Sequence, residues 1–107
     1  MTQQGDPVYL KLLDEMRALH IAKSAGYAGD SPDKWANFRA SSLFGVSAFK
    51  GCLVRMSDKF IRISNLTKNP ANDEVYESIE DTLLDLASYA LIAICLRRQE
   101  KEPVKYG

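Results

Sequence analysis

The chain has 107 residues, 46% of them hydrophobic and 26% charged, and its 14 basic and 14 acidic side chains cancel. That length supports one domain with a modest core, expected to span residues 1–107 with about 1–5 and 100–107 as tails. A zero net charge excludes a general electrostatic drive towards nucleic acid or an acidic membrane, so no direct nucleic-acid binding is expected. Any recognition of phosphate must come from a local cluster.

The longest apolar run, Ala90 to Leu96, falls far short of the roughly 20 residues that cross a bilayer, so no membrane partner is expected. The opening MTQQGDPVYL has neither a basic region nor a long apolar core, and a secretory signal is not expected. Cys52 and Cys95 form no CxxC pair. Both are expected to be buried free thiols of a cytoplasmic protein.

Taken in chain order, a first helix should open at Asp6-Pro7, where Asp caps free N–H groups and Pro is tolerated at the first helical position. Leu12, Leu13, Met16, Leu19, Ile21 and Ala22 support about four turns, ending near Gly26. GYAGDSP interrupts the pattern, and Ser31-Pro32 can start a second helix with Trp35, Phe38 and Leu43 on its buried side. Gly45 divides it from a third helix, about Val46 to Leu66, whose buried side is Phe49, Cys52, Leu53, Met56, Phe60, Ile63 and Leu66. TKNPAND is a linker of turn formers, with Asn72 or Asp73 capping a fourth helix over about Glu74 to Arg98.

That fourth helix shows Val75, Ile79, Thr82, Leu83, Leu86, Ala90 and Ala93 on one face. Leu84, Ala87, Leu91, Ile94 and Cys95 widen it until its C-terminal half is apolar nearly all round. A solvent-facing helix keeps a polar side, so this one is either central or covered by a second subunit, and with four helices available the second option is favoured. The expected fold is all-α: four main helices, the third and fourth antiparallel, completed by oligomerisation.

Chemistry concentrates on the last two helices. Glu77, Asp81 and Asp85 recur every four residues and Glu74 lies just before them, so the four form one ridge. Like charges at that spacing repel, and the ridge needs a counter-charge: cations of a neighbouring helix or a divalent metal. Arg55, Asp58, Lys59 and Arg62 gather on one side of the third helix. Two readings stay open: a ladder of ion pairs fastening the helices, or a composite site. In the second, Glu77, Asp81, Asp85 and Asp58 are metal ligands and Arg55, Lys59 and Arg62 face phosphates. Glu80 lies off the ridge. His20, Lys23 and Tyr27 share one side of the first helix: Lys23 is a candidate phosphate contact, His20 and Tyr27 candidate nucleotide contacts, and each has a surface or packing role as its rival. Asn65 and Asn69 suit either a base edge or a helix-end cap. No zinc cluster, P-loop, GxGxxG or HExxH occurs.

The run H20-x2-K23-x3-Y27, then R55-x2-DK-x2-R62-x2-NL, then E77-x3-DTLLDLASYALI resembles the nucleotide modification associated domain type 1 family of phage and bacterial proteins. That family is related to the all-α nucleoside triphosphate pyrophosphohydrolases, the MazG and dimeric dUTPase group. The resemblance covers roughly residues 15–96. It implies a MazG-like four-helix bundle, a homodimer or homotetramer, dependence on Mg2+ (or Mn2+), and cleavage of a nucleoside triphosphate to monophosphate and pyrophosphate. It also makes Asp81 and Asp85 the best counterparts of the metal-binding acids, and Lys59 and Arg62 of the phosphate contacts. The sequence departs from the relatives' paired ExxE and ExxD motifs. Asp58 is the one acid between Arg55 and Leu66, and the second motif reads Glu77-x3-Asp81-x3-Asp85. Nucleotide binding without hydrolysis, or a structural assembly module, is the alternative.

Overall fold

The computed structural model describes residues 4–28, 35–68 and 73–101. They are helical almost throughout and contain no strand. The elements are α1 (Pro7–Ala28), a 3-10 helix (Ala36–Phe44), α2 (Ala48–Thr67) and α3 (Asp73–Lys101). The chain divides into two compact units, Met1–Ala36 and Asn37–Gly107.

In the first unit α1 begins where Asp6-Pro7 predicts. The Asp6 carboxylate accepts from Tyr9 N at 3.1 Å, answering one of the orphan donors of a helix start, and its carbonyl accepts the first helical bond from Leu10 N at 3.1 Å. The helix runs through Gly26, which has open space around its Cα, and stops two residues later than predicted. None of its described side chains is fully buried; Leu12, Leu13, Leu19 and Ile21 are exposed and Met16 is half-buried.

The second unit opens with the 3-10 helix, shorter and more tightly wound than the α-helix predicted there. Three residues per turn stack Phe38 over Ser41, while Leu43, five residues on, lies about 120° round from Phe38. Phe38 is buried as predicted, whereas Leu43 is 81% exposed, so its place on the buried side is corrected. The segment ends in a Schellman-type cap: Gly45 N donates to Ser42 O and Val46 N to Ser41 O. Gly45 takes φ +77°, which a side chain would disfavour. Ser47 then caps α2, its hydroxyl accepting from Lys50 N at 3.1 Å. The predicted cap Asn72 and the linker residue Asn69 lie outside the described residues.

α2 and α3 form an antiparallel hairpin. Its rungs run from Phe49 N, which donates to Glu100 Oε1 at 3.3 Å, through the Cys52 thiol, which donates to Tyr89 O at 3.4 Å. They continue to Lys59 beside Asp85 and end at Arg62 beside Thr82. Buried side chains gather at the end where α2 starts and α3 finishes: Phe38, Ala48, Cys52, Ile92, Ala93 and Leu96. Small residues let the two backbones approach. Gly51 does the same for the 3-10 helix, since a Cβ there would meet Ser41 Oγ at 2.6 Å and Ser41 Cβ at 2.9 Å. Arg39 donates to Gln99 and fastens the same end.

Several predicted core positions are exposed in this chain: Leu53 and Phe60 on α2, and Leu83 on α3. Leu91, Ile94 and Cys95 are also exposed, so of the two cysteines only Cys52 is buried. The apolar pattern of both helices is wider than the single seam each can bury against the other. No described helix is long and apolar enough to cross a membrane.

Gly51→Ala should lower the melting temperature. Helix propensity favours Ala by up to about 1 kcal/mol, but overpacking against Ser41 costs about 1–3 kcal/mol; an unchanged or raised midpoint in thermal denaturation would contradict the close approach.

Burial pushes the Cys52 thiol above its ordinary pKa of 9.0, with Arg55 opposing the shift. The folded thiol therefore keeps its proton to higher pH than the unfolded one. Its contribution to stability is complete below pH 9 and is lost as pH rises through the folded value. Alkylation of the native protein at pH 8 should modify Cys95 first and Cys52 only on denaturation, as read by mass spectrometry of the peptides; equal rates would mean that the seam opens freely.

Candidate functional site

The hairpin's seam sorts its residues. With 3.6 residues per turn, and taking Cys52 as the seam line on α2, Arg55, Asp58, Arg62 and Asn65 fall about 60–140° to one side. On α3, taking Thr82 as the seam, Glu74, Glu77, Asp81 and Asp85 fall about 60–140° in the same rotational sense. Two antiparallel helices, each viewed from its own N-terminus, carry equal rotations to the same side of their common seam. The cation row and the carboxylate ridge therefore share one side of the hairpin.

The contacts across the seam follow from that placement. Lys59 Nζ lies 3.5 Å from Asp85 Oδ2, each side chain about one-third exposed, and 5.9 Å above the Tyr89 ring. Arg55 places its guanidinium carbon 4.5 Å over the Phe38 ring, and Phe38 meets Tyr89 edge-on at 6.2 Å. Two cations thus rest on a pair of crossed aromatic rings, whose negative faces favour positive charge. Arg62 Nε donates to Thr82 Oγ1 at 3.3 Å, and the buried Thr82 hydroxyl donates onward to Ser78 O at 2.7 Å. That bond aims the exposed Arg62 along the acidic side.

Beside Arg62 is an open groove of about 360 Å3 lined by Asp58, Ile61, Arg62, Asn65 and Leu66. It offers one anion, one cation, an amide and two apolar walls. Glu77 and Asp81 are exposed on successive turns of α3. Among the described residues no group of three His, Cys, Asp or Glu side chains comes together to hold a metal ion. The four predicted ligands Glu77, Asp81, Asp85 and Asp58 therefore form no single cage. Asp85 faces Lys59, Asp58 lines the groove, and Glu77 with Asp81 remains as an adjacent pair.

The other predicted contacts lie in the first unit. The His20 and Trp35 rings are 6.0 Å apart and tilted by 31°, with Trp35 half-buried. Lys23 is exposed on α1, and the Tyr27 side chain lies outside the described residues. Sequence reasoning missed Thr82 and Tyr89 as partners of the cations. A threonine inside an apolar stripe is a visible signal for the first, because its hydroxyl needs a bond when buried.

The chain was compared with protein-family models, curated proteins and solved structures, and nothing matches it.

A partly exposed ion pair is worth about 0–1 kcal/mol. A double-mutant cycle on Lys59→Gln and Asp85→Asn should return a coupling of that size in chemical denaturation, falling as salt is added. A coupling above about 2 kcal/mol would make the pair a buried fastening.

Proposed function

We propose that the charged side of the hairpin binds the phosphates of a nucleoside triphosphate, and that the protein is a Mg2+-dependent, homo-oligomeric pyrophosphohydrolase-like protein of nucleotide metabolism. The observation that carries this reading is the shared side: helical winding puts the α2 cations and the four carboxylates of α3 on one side of the hairpin, with Lys59 against Asp85 and Arg62 bonded to Thr82. The resemblance of residues 15–96 points the same way. Arg62 would fork across two phosphate oxygens and Lys59 would add a point charge. The groove would take the nucleoside, with Ile61 and Leu66 against the base and Asn65 at its edge.

Mg2+ is commonly held by one or two carboxylates together with substrate phosphates and water, so the exposed pair Glu77 and Asp81 fits it without a cage of three. When bound, it supplies neutralisation of phosphate charge. For turnover, Lys59 and Arg62 would stabilise the charge that develops on the phosphate oxygens as the anhydride bond breaks.

A second reading has its own observation. Lys59 is already held by Asp85 and Arg55 lies on Phe38, which is what an inter-helix fastening in a non-catalytic assembly module requires. Calorimetric titration of deoxynucleoside triphosphates with and without Mg2+, read together with pyrophosphate release, separates the two. Phosphate binding predicts Mg2+-dependent affinity that Asp81→Asn weakens at least about tenfold, near 1.4 kcal/mol, with little change in melting temperature. Loss of thermal stability without any nucleotide effect assigns the charges to the fastening.

A further inference from the structure

The 3-10 helix ends in the two most exposed large hydrophobic side chains among the described residues: Leu43 at 81% and Phe44 at 85%. They stand side by side just before the turn into α2, and Val46 adds a third apolar side chain there. The turn is fixed by its own bonds. Gly45 N donates to Ser42 O at 3.1 Å and Val46 N to Ser41 O at 3.2 Å, so both amides are already paired when the turn meets an apolar phase. The other face of the winding is held against the hairpin: Phe38 is buried, and the Ser41 hydroxyl donates to Ser47 O at 3.1 Å. Leu43 and Phe44 therefore form an apolar tip at the end where α2 starts and α3 finishes.

That end is also the positive pole of the hairpin. Residues 37–56 and 88–100 carry five cations, Arg39, Lys50, Arg55, Arg97 and Arg98, and one acid, Glu100, which Phe49 N engages. Arg97 is placed there by the Phe49 ring, 5.6 Å below its guanidinium carbon, and Arg39 by its bond to Gln99. Residues 57–68 and 74–87, towards the other end, carry three cations and six acids. Charges that cancel over the chain are thus separated along the hairpin. We propose that the Leu43–Phe44 tip docks the protein on an anionic lipid surface, both side chains entering the interface while Lys50, Arg97 and Arg98 meet the headgroups. The charge around the tip complements acidic headgroups, each nearby Lys or Arg adding to the attraction. The acidic far end is repelled by the same surface, which turns the tip towards it. Side chains that protrude from a turn suit a yielding partner, and Phe and Leu seat about 5–10 Å into the boundary of headgroups and acyl chains. Crossing the bilayer is not involved, and no described helix is long and apolar enough to do so. The proposal does not rest on nucleotide binding.

Flotation of the full chain with lipid vesicles tests it. Vesicles of about 30% phosphatidylserine in phosphatidylcholine should carry the protein at about 0.1 M salt and release it at about 0.5 M, and pure phosphatidylcholine should not carry it. Leu43→Ser and Phe44→Ser should each weaken the partition at least about tenfold, with helical circular dichroism retained. Lys50→Glu combined with Arg98→Glu should weaken it as well, whereas Asp81→Asn, towards the far end, should not. No partition on phosphatidylserine vesicles at low salt would overturn the proposal, and so would equal partition on neutral ones. Partition untouched by both serine variants would overturn the tip and leave only adsorption by charge. A single-stranded oligonucleotide that is bound in place of vesicles, and equally well by both serine variants, would assign the pole to another polyanion. Should the serine variants fail to fold, Phe44→Trp decides: its added emission should shift to the blue on phosphatidylserine vesicles, and an unshifted band would overturn insertion.

Discussion

The packing of α2 against α3 is the constraint from which the rest of the second unit follows. Cys52, Ala48, Ala93 and Leu96 set how closely the helices approach, and Phe38 closes one end. Once that seam is fixed, helical winding leaves no freedom over which residues flank it. Arg62 must lie beside Thr82 and Lys59 beside Asp85, because both pairs are rungs of one antiparallel ladder. The site's geometry is thus inherited from apolar packing, which is stronger than any of the charge contacts it organises.

The seam could be read from the sequence because the apolar residues of both helices keep a strict period and a linker of turn formers joins them. The acidic ridge was legible for the same reason. What the sequence could not show was how much of each apolar stripe one partner covers. Period alone marks Leu53, Phe60 and Leu83 as core, yet a two-helix seam is narrower than their stripes, and all three remain exposed. Leu43 misled for a different reason: it stands five residues from Phe38, more than 100° round the axis in either an α or a 3-10 winding, so it cannot share that residue's buried face. Cys95 was grouped with Cys52 by composition, but it lies on the outer flank of α3.

Holding a cation and offering it to a ligand are competing demands, and the three cations of α2 meet them differently. Arg55 spreads over an aromatic ring, an interaction worth about 0.5–1 kcal/mol at an exposed site. Lys59 is shared between a ring and a carboxylate. Arg62 commits one nitrogen to a neutral hydroxyl and shares its groove with Asp58. Of the three, Arg62 gives up least when a phosphate arrives, and Lys59 must first loosen its hold on Asp85. A polyanion would repay that cost more readily than a single phosphate, because it engages both cations while releasing one pair.

The separation of charged and apolar residues on α3 is a matter of helical register. On α3 the acids at 77, 81 and 85 and the apolar residues at 83, 87 and 94 are interleaved along the chain. They are sorted only by winding. One residue inserted between them would turn the following part of the helix by about 100°. Acids beyond that point would swing towards the seam or the apolar side, and Leu83 or Ile94 would rotate out of theirs. Helix register on α3 therefore fixes the placement of its charged and its apolar residues together.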